Sequence, residues 1–156
     1  MDASANSGPA IAVEGLTKRY GAVLAVDNVG FRVARGSFTA LLGGNGAGKT
    51  TTIAMLLGLV RPSAGRIEIL GEDFARHMKT LLGRMNFQSP YADLPRRLTV
   101  RQNLTIYARL YGVRDAAERI AQLAKDLDLV KLLDRPLGEL SAGQRTRAGL
   151  AKAFIN

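Results

Sequence analysis

The sequence predicts an α/β fold, and three observations carry that expectation. An apolar run, Phe38-Thr39-Ala40-Leu41-Leu42, leads into a glycine-rich stretch, and Ile53-Ala54-Met55-Leu56-Leu57 follows it as helix. Ahead of that stretch, Ile11-Ala12-Val13 and residues 23–33 alternate or run apolar with β-branched side chains, punctuated by Gly21, Gly30 and Gly36, the pattern of antiparallel strands. Beyond Pro90 the apolar spacing changes to the period of helices.

In chain order, residues 1–10 are small and polar with no apolar core, which reads as a frayed tail and not as a signal peptide. After the first helix, Arg61-Pro62-Ser63-Ala64-Gly65 forms a turn and Arg66-Ile67-Glu68-Ile69-Leu70 alternates as a strand. Arg84-Met85-Asn86-Phe87-Gln88 is a second short strand candidate, stopped by Ser89-Pro90. Residues 100–111 then place Leu104, Tyr107, Ala108 and Tyr111 on one helical face. Residues 115–127 repeat the period with Ile120, Leu123, Ala124 and Leu127, with Asp115 as N-cap. A further helix opens after Leu140. No internal repeat or low-complexity tract interrupts this order.

The glycine-rich stretch is Gly43-Gly44-Asn45-Gly46-Ala47-Gly48-Lys49-Thr50-Thr51. Set between a strand and a helix, it has the form G-x-x-x-x-G-K-[ST] of a phosphate-binding loop. The chemistry needs these residue types. Glycines let backbone N–H groups close around phosphate oxygens, and the helix N-terminus adds its positive dipole end. Lys49 is expected on the β/γ-phosphates of a nucleoside triphosphate, and the Thr50 hydroxyl on Mg²⁺.

Composition narrows the remaining classes. At 156 residues, 47% of them hydrophobic, the chain suits one domain with a sizeable core. With no cysteine, disulfides and thiolate zinc sites are excluded. No window approaches roughly 18 uninterrupted apolar residues, so no membrane span is expected. The formal charge is +9, but the basic residues are scattered and not gathered in a stripe with interleaved aromatics. Direct nucleic-acid binding is therefore not expected.

Four stretches stand in a telling order: Lys18-Arg19-Tyr20-Gly21, the phosphate loop, Gln88 after Met85-Asn86-Phe87, and Leu140-Ser141-Ala142-Gly143-Gln144. This order resembles the nucleotide-binding domain of ATP-binding cassette (ABC) proteins over residues 11–156, with Ala142 replacing one glycine of the family's LSGGQ signature. The resemblance implies a P-loop NTPase core with an antiparallel β subdomain and a helical subdomain, incomplete at the C-terminus. Residues 11–89 would form the β subdomain and loop core, 90–140 the helical subdomain, and 141–156 the signature and the start of its helix.

The resemblance also implies roles. Tyr20 would stack on adenine, and Gly43 to Thr51 would hold ATP and Mg²⁺. Gln88 would reach the metal and the attacking water, and Lys49 and Gln88 would serve catalysis. Ser141, Ala142, Gly143 and Gln144 would face ATP bound to the opposite subunit of a head-to-tail dimer. Taken alone, Tyr20 reads equally as a half-buried strand tyrosine, Gln88 as a solvated loop residue, and Ser141-Ala142-Gly143-Gln144 as a helix N-cap. Leu98 to Leu104 and Tyr107 to Gly112 resemble the helical subdomain of exporter-type members, which implies integral permease partners and a place on the cytoplasmic face of a membrane. A soluble ABC protein acting on ribosomes or DNA, a P-loop kinase or GTPase, and an inactive nucleotide-binding remnant are the alternatives. His77, the only histidine, precedes the signature and reads as a surface residue, and Arg96-Arg97 as a solvated turn.

The family's hydrolytic carboxylates follow the signature on an apolar strand, whereas the present sequence ends at Ala151-Lys152-Ala153-Phe154-Ile155-Asn156. Asp27 and Asp134 end apolar runs but precede the signature. The polypeptide is therefore expected to expose unpaired edges and apolar faces, to fold poorly alone, and to show no hydrolysis above background while retaining affinity for ATP.

Overall fold

A computed structural model describes residues 8–89 and 94–156. The described residues fall into two compact units, one within Met1–Leu82 and one within Gly83–Asn156.

The first unit is built on a four-stranded antiparallel sheet of order β2-β1-β3-β4. β1 (Ile11–Tyr20) and β2 (Val23–Val33) are joined by the two residues Gly21 and Ala22, as the glycine punctuation predicted. β3 (Ala64–Ile69) pairs with the other edge of β1, and β4 (Glu72–Asp73) closes the sheet. β1 buries Ala12, Val13 and Leu16; Ile67 and Ile69 of β3 join them, with Met55 of helix α1 (Lys49–Leu56). Phe74 and Leu81 of α2 (Phe74–Leu82) complete the apolar set. Sequence reasoning did not find α2. It is bent at His77, whose φ and ψ of −116° and 20° leave the helical region, although Phe74, Met78, Leu81 and Leu82 keep the helical period across the bend.

Two expected strands are absent. Residues 38–42 carry the right composition but pair with no described strand, and Phe38 and Leu42 stand exposed. Residues 84–88 likewise lack a ladder. An apolar run becomes a strand only where a neighbour accepts its hydrogen bonds, and composition does not report the neighbour.

The second unit holds α3 (Val100–Leu110), α4 (Ala116–Asp126) and α5 (Ala142–Ala153), with single 3₁₀ turns at Val130–Leu132 and Leu137–Glu139. One continuous core joins Leu104 and Ala108 of α3, Ile120, Leu123 and Ala124 of α4, and Ala148 and Ala151 of α5. These include the faces that the helical period marked out. Tyr107 and Leu127 pack at its margin, while Tyr111 is partly exposed. Asp115 occupies the N-cap position of α4, but its side chain makes no capping bond. Thr99 caps α3 instead through a reciprocal pair with Gln102.

Asn103, buried on α3, holds the entry to this unit. Its Nδ2 donates to the carbonyls of Pro95, Leu98 and Thr99 at 3.1, 3.4 and 3.0 Å, while its Oδ1 has no partner. Asn103→Ala would leave these carbonyls short of a donor and is expected to cost about 1–3 kcal/mol, read as a lower denaturant midpoint at unchanged slope.

On the surface, Arg101 donates to both oxygens of Asp134 at 2.7 and 3.1 Å. This hydrogen-bonded guanidinium holds the Asp134 carboxyl below its ordinary value of 3.8. The pair's contribution is present above that value and is lost as pH falls below it through the depressed folded-state pKa. In an acid titration of stability, wild type and Asp134→Asn should therefore converge below pH 3.8.

Candidate nucleotide-binding site

The phosphate-loop residues lie at the surface, where residues 43–48 lead into α1. Gly48 is the N-cap at φ 79° and ψ 5°, left-handed backbone that a glycine adopts without penalty. A Cβ there would stand 2.4 Å from the Ala25 carbonyl oxygen and 2.9 Å from Val26 Cγ2, so β2 forms the wall behind the loop. At Gly44 and Gly46 an added Cβ would meet nothing within 4 Å. The loop is thus tight against the sheet at its helix end and open at its crown.

No side chain caps α1, and no acidic residue lies in its first turn. The first backbone bond into the helix is Thr52 N–H to the Gly48 carbonyl at 2.8 Å. The amides just before it lack intrahelical acceptors and, with the dipole, form a positive end without an internal counter-charge. Lys49 folds back over the loop, and its Nζ donates to the Gly43 and Gly44 carbonyls at 2.6 and 2.7 Å. The ammonium is thereby held above the loop's backbone. Thr50 is exposed and Thr51 partly so. Amides, ammonium and hydroxyl together suit an anionic, metal-bearing phosphate chain.

Tyr20 ends β1 in the same unit and is 49% exposed. Lys18 Nζ lies 5.0 Å from its ring centroid and also donates to the Arg61 carbonyl at 2.7 Å, which ties the cation down beside the ring.

The other two sequence-predicted stretches belong to the second unit. Gln88 is partly buried, and its Nε2 donates to the Ser89 carbonyl at 3.3 Å. Ser141 is the N-cap of α5: its Oγ accepts from Gln144 N–H at 3.3 Å, and Gln144 Oε1 accepts from Ser141 N–H at 2.9 Å. The capping box leaves the Ser141 hydroxyl proton available to an outside acceptor. Ser141, Ala142 and Gly143 are exposed, and α5 carries no acid in its first turn. Arg96 and Arg97 form a turn, with the Arg96 carbonyl accepting from Gly138 N–H at 2.9 Å. His77 is a surface side chain 3.8 Å from Glu72.

Among the described residues no group of three histidine or acidic side chains could hold a metal. A divalent ion at this loop would have to draw most of its oxygens from phosphate and water, as Mg²⁺ commonly does. A cavity of about 340 Å³ exists in the first unit, but Met55, Val60, Ile67, Phe74 and Met78 line it and no residue of the loop does.

A family model described as "ABC transporter" matches residues 26–156, and the chain belongs to that family, whose ATP-binding members couple ATPase activity to transport. Among its relatives, it is 40% identical over 152 residues to the Nod factor export ATP-binding protein I of Ralstonia nicotianae, covering 96% of this chain and 47% of that protein. It is 40% identical over 148 residues to the daunorubicin resistance ATP-binding protein DrrA3 of Streptomyces coeruleorubidus, covering 94% and 47%. The chain thus spans about half the length of the curated relatives it matches. A solved ATP-binding subunit of an ABC transporter superposes with a TM-score of 0.80 at 31% identity, covering 93% of this chain and 61% of that one. The fold class expected from the sequence is thereby established.

Proposed function

We propose that this chain is part of the ATP-binding subunit of an exporter-type ABC transporter and that residues 43–51 hold Mg²⁺-ATP. The observation that carries the reading is the uncapped, acid-free α1 N-terminus with Lys49 poised over its loop. Export is favoured by the relatives, whose names concern Nod factor export and daunorubicin resistance.

Lys49 would leave the Gly43 and Gly44 carbonyls for the β/γ-phosphates. Thr50 would give its hydroxyl to Mg²⁺, and Gln88 would approach the same ion and the attacking water. The half-exposed Tyr20 ring would stack on adenine. The free Ser141 proton and the α5 amides would meet the γ-phosphate held by a second nucleotide-binding subunit in a head-to-tail pair. No described helix is long and apolar enough to cross a membrane, and attachment to the cytoplasmic face would come through integral permease subunits.

The test is a binding titration of the 156-residue polypeptide with ATP and GTP, with and without Mg²⁺. Saturable, Mg²⁺-dependent ATP binding supports the reading; guanine preference would point to another NTPase class. Tyr20→Ala should weaken ATP binding by about tenfold, the loss of one aromatic stack, while Tyr20→Phe should retain it.

A further inference from the structure

Alanine favours a helix over glycine, so a glycine in a helix interior calls for a packing reason. Gly149 lies inside α5, fully surrounded, on ordinary helical backbone. A Cβ placed there would stand 2.6 Å from Gln88 Nε2, 2.9 Å from its Cδ and 3.2 Å from its Oε1. The space of the missing methyl group is filled by the Gln88 carboxamide.

Gln88 does not rest there alone. Lys152 Nζ donates to the Phe87 carbonyl at 3.3 Å, and Asn156 Nδ2 to the Gly83 carbonyl at 2.9 Å. Asn86 Nδ2 donates in turn to Asn156 Oδ1. Gly149 and Lys152 lie three apart on one face of α5, and Asn156 follows just past the end of the helix. Residues 88, 87, 86 and 83 meet these three positions in descending order, so the segment runs antiparallel to α5. Lys152 is itself fixed, with Nζ 5.1 Å from the Tyr107 ring centroid on α3.

We propose that Gly149, with Lys152 beside it, is a positioning residue that seats the Gln88 carboxamide on the helix beginning at Ser141. The seat makes the glutamine and the Ser141–Gln144 turn parts of one body, so a movement of α5 carries Gln88 with it. The functional meaning rests on the ATP-binding reading given above; the seat itself does not.

The amide of Gln88 is the mobile end of a long side chain, so Gly149→Ala should displace it and leave the fold intact. Two measurements on the 156-residue polypeptide decide the matter. In ¹⁵N–¹H spectra, the Gln88 side-chain pair, assigned by its loss in Gln88→Glu, should shift in Gly149→Ala while signals of residues 11–33 stay in place. In Mg²⁺-ATP titrations, Gly149→Ala should weaken binding by about tenfold, the scale of one charge-assisted hydrogen bond, and should have no further effect in the Gln88→Ala background. Lys152→Met, which removes the bond to the Phe87 carbonyl, should move the same Gln88 signals. An unmoved Gln88 pair in both variants, or an equal affinity loss with and without Gln88, would overturn the proposal. Failure of the parent polypeptide to bind ATP would count against the proposed function alone, and the spectra would still decide the seat.

Discussion

Lys49→Ala is expected to abolish Mg²⁺-ATP binding by this polypeptide. The wild-type ammonium already sits over the loop, 2.6 and 2.7 Å from the Gly43 and Gly44 carbonyls. Moving to phosphate therefore exchanges two neutral acceptors for anionic ones, with little new ordering of the side chain. Two charge-assisted hydrogen bonds at about 1.5–3 kcal/mol each correspond to a loss of at least about a hundredfold. Lys49 is the one cationic side chain within residues 43–51, and no acid in α1 needs it as a partner. Thermal unfolding without nucleotide should therefore be nearly unchanged, which separates lost binding from lost fold. Calorimetric titration checks the first point, and affinity within a factor of about three of wild type would remove Lys49 from the site.

Gly48→Val is expected to have the largest effect on stability. The residue holds φ at 79°, which a β-branched side chain resists, and its Cβ would overlap the Ala25 carbonyl oxygen at 2.4 Å. That oxygen belongs to β2, whose neighbouring residues Leu24 and Val26 pair with Arg19 and Lys18 of β1, so relieving the overlap means moving backbone next to the ladder. Backbone strain and the clash together place the cost at about 4 kcal/mol or more. The midpoint of thermal unfolding should fall by about 15 °C or more for a unit of this size. Gly46→Val separates the causes, because its φ is also positive, at 81°, but a Cβ there meets nothing within 4 Å. Its loss should be clearly smaller, and equal losses in the two variants would mean that the wall behind the loop is not where the damage arises.

The glycine-rich turn into α1 was legible because its residues are consecutive and each has a local reason to be there. Glycine at Gly48 serves the backbone turn, Lys49 supplies charge, and Thr50 a hydroxyl. The helical faces of α3 and α4 were legible because a 3.6-residue period is also local. What failed depended on a partner distant in sequence. Residues 38–42 and 84–88 have strand composition but no ladder among the described residues, and the latter run along α5 instead. Asn103 reads as one polar residue in an amphipathic helix until the carbonyls of Pro95, Leu98 and Thr99 are seen around it. Gly149 left a fainter signal, a glycine where the helical pattern had no use for one. What filled its missing methyl could be seen only in three dimensions.

Whether residues 43–51 hold ATP can be read from an ATP titration followed residue by residue in ¹⁵N–¹H spectra of the polypeptide with Mg²⁺ present. The largest perturbations should fall on residues 43–52 and at Tyr20, saturating together and vanishing in Lys49→Ala. Perturbations centred instead on Met55, Phe74 and Met78, which line the 340 Å³ cavity, or spread over the scattered basic surface, would contradict that expectation.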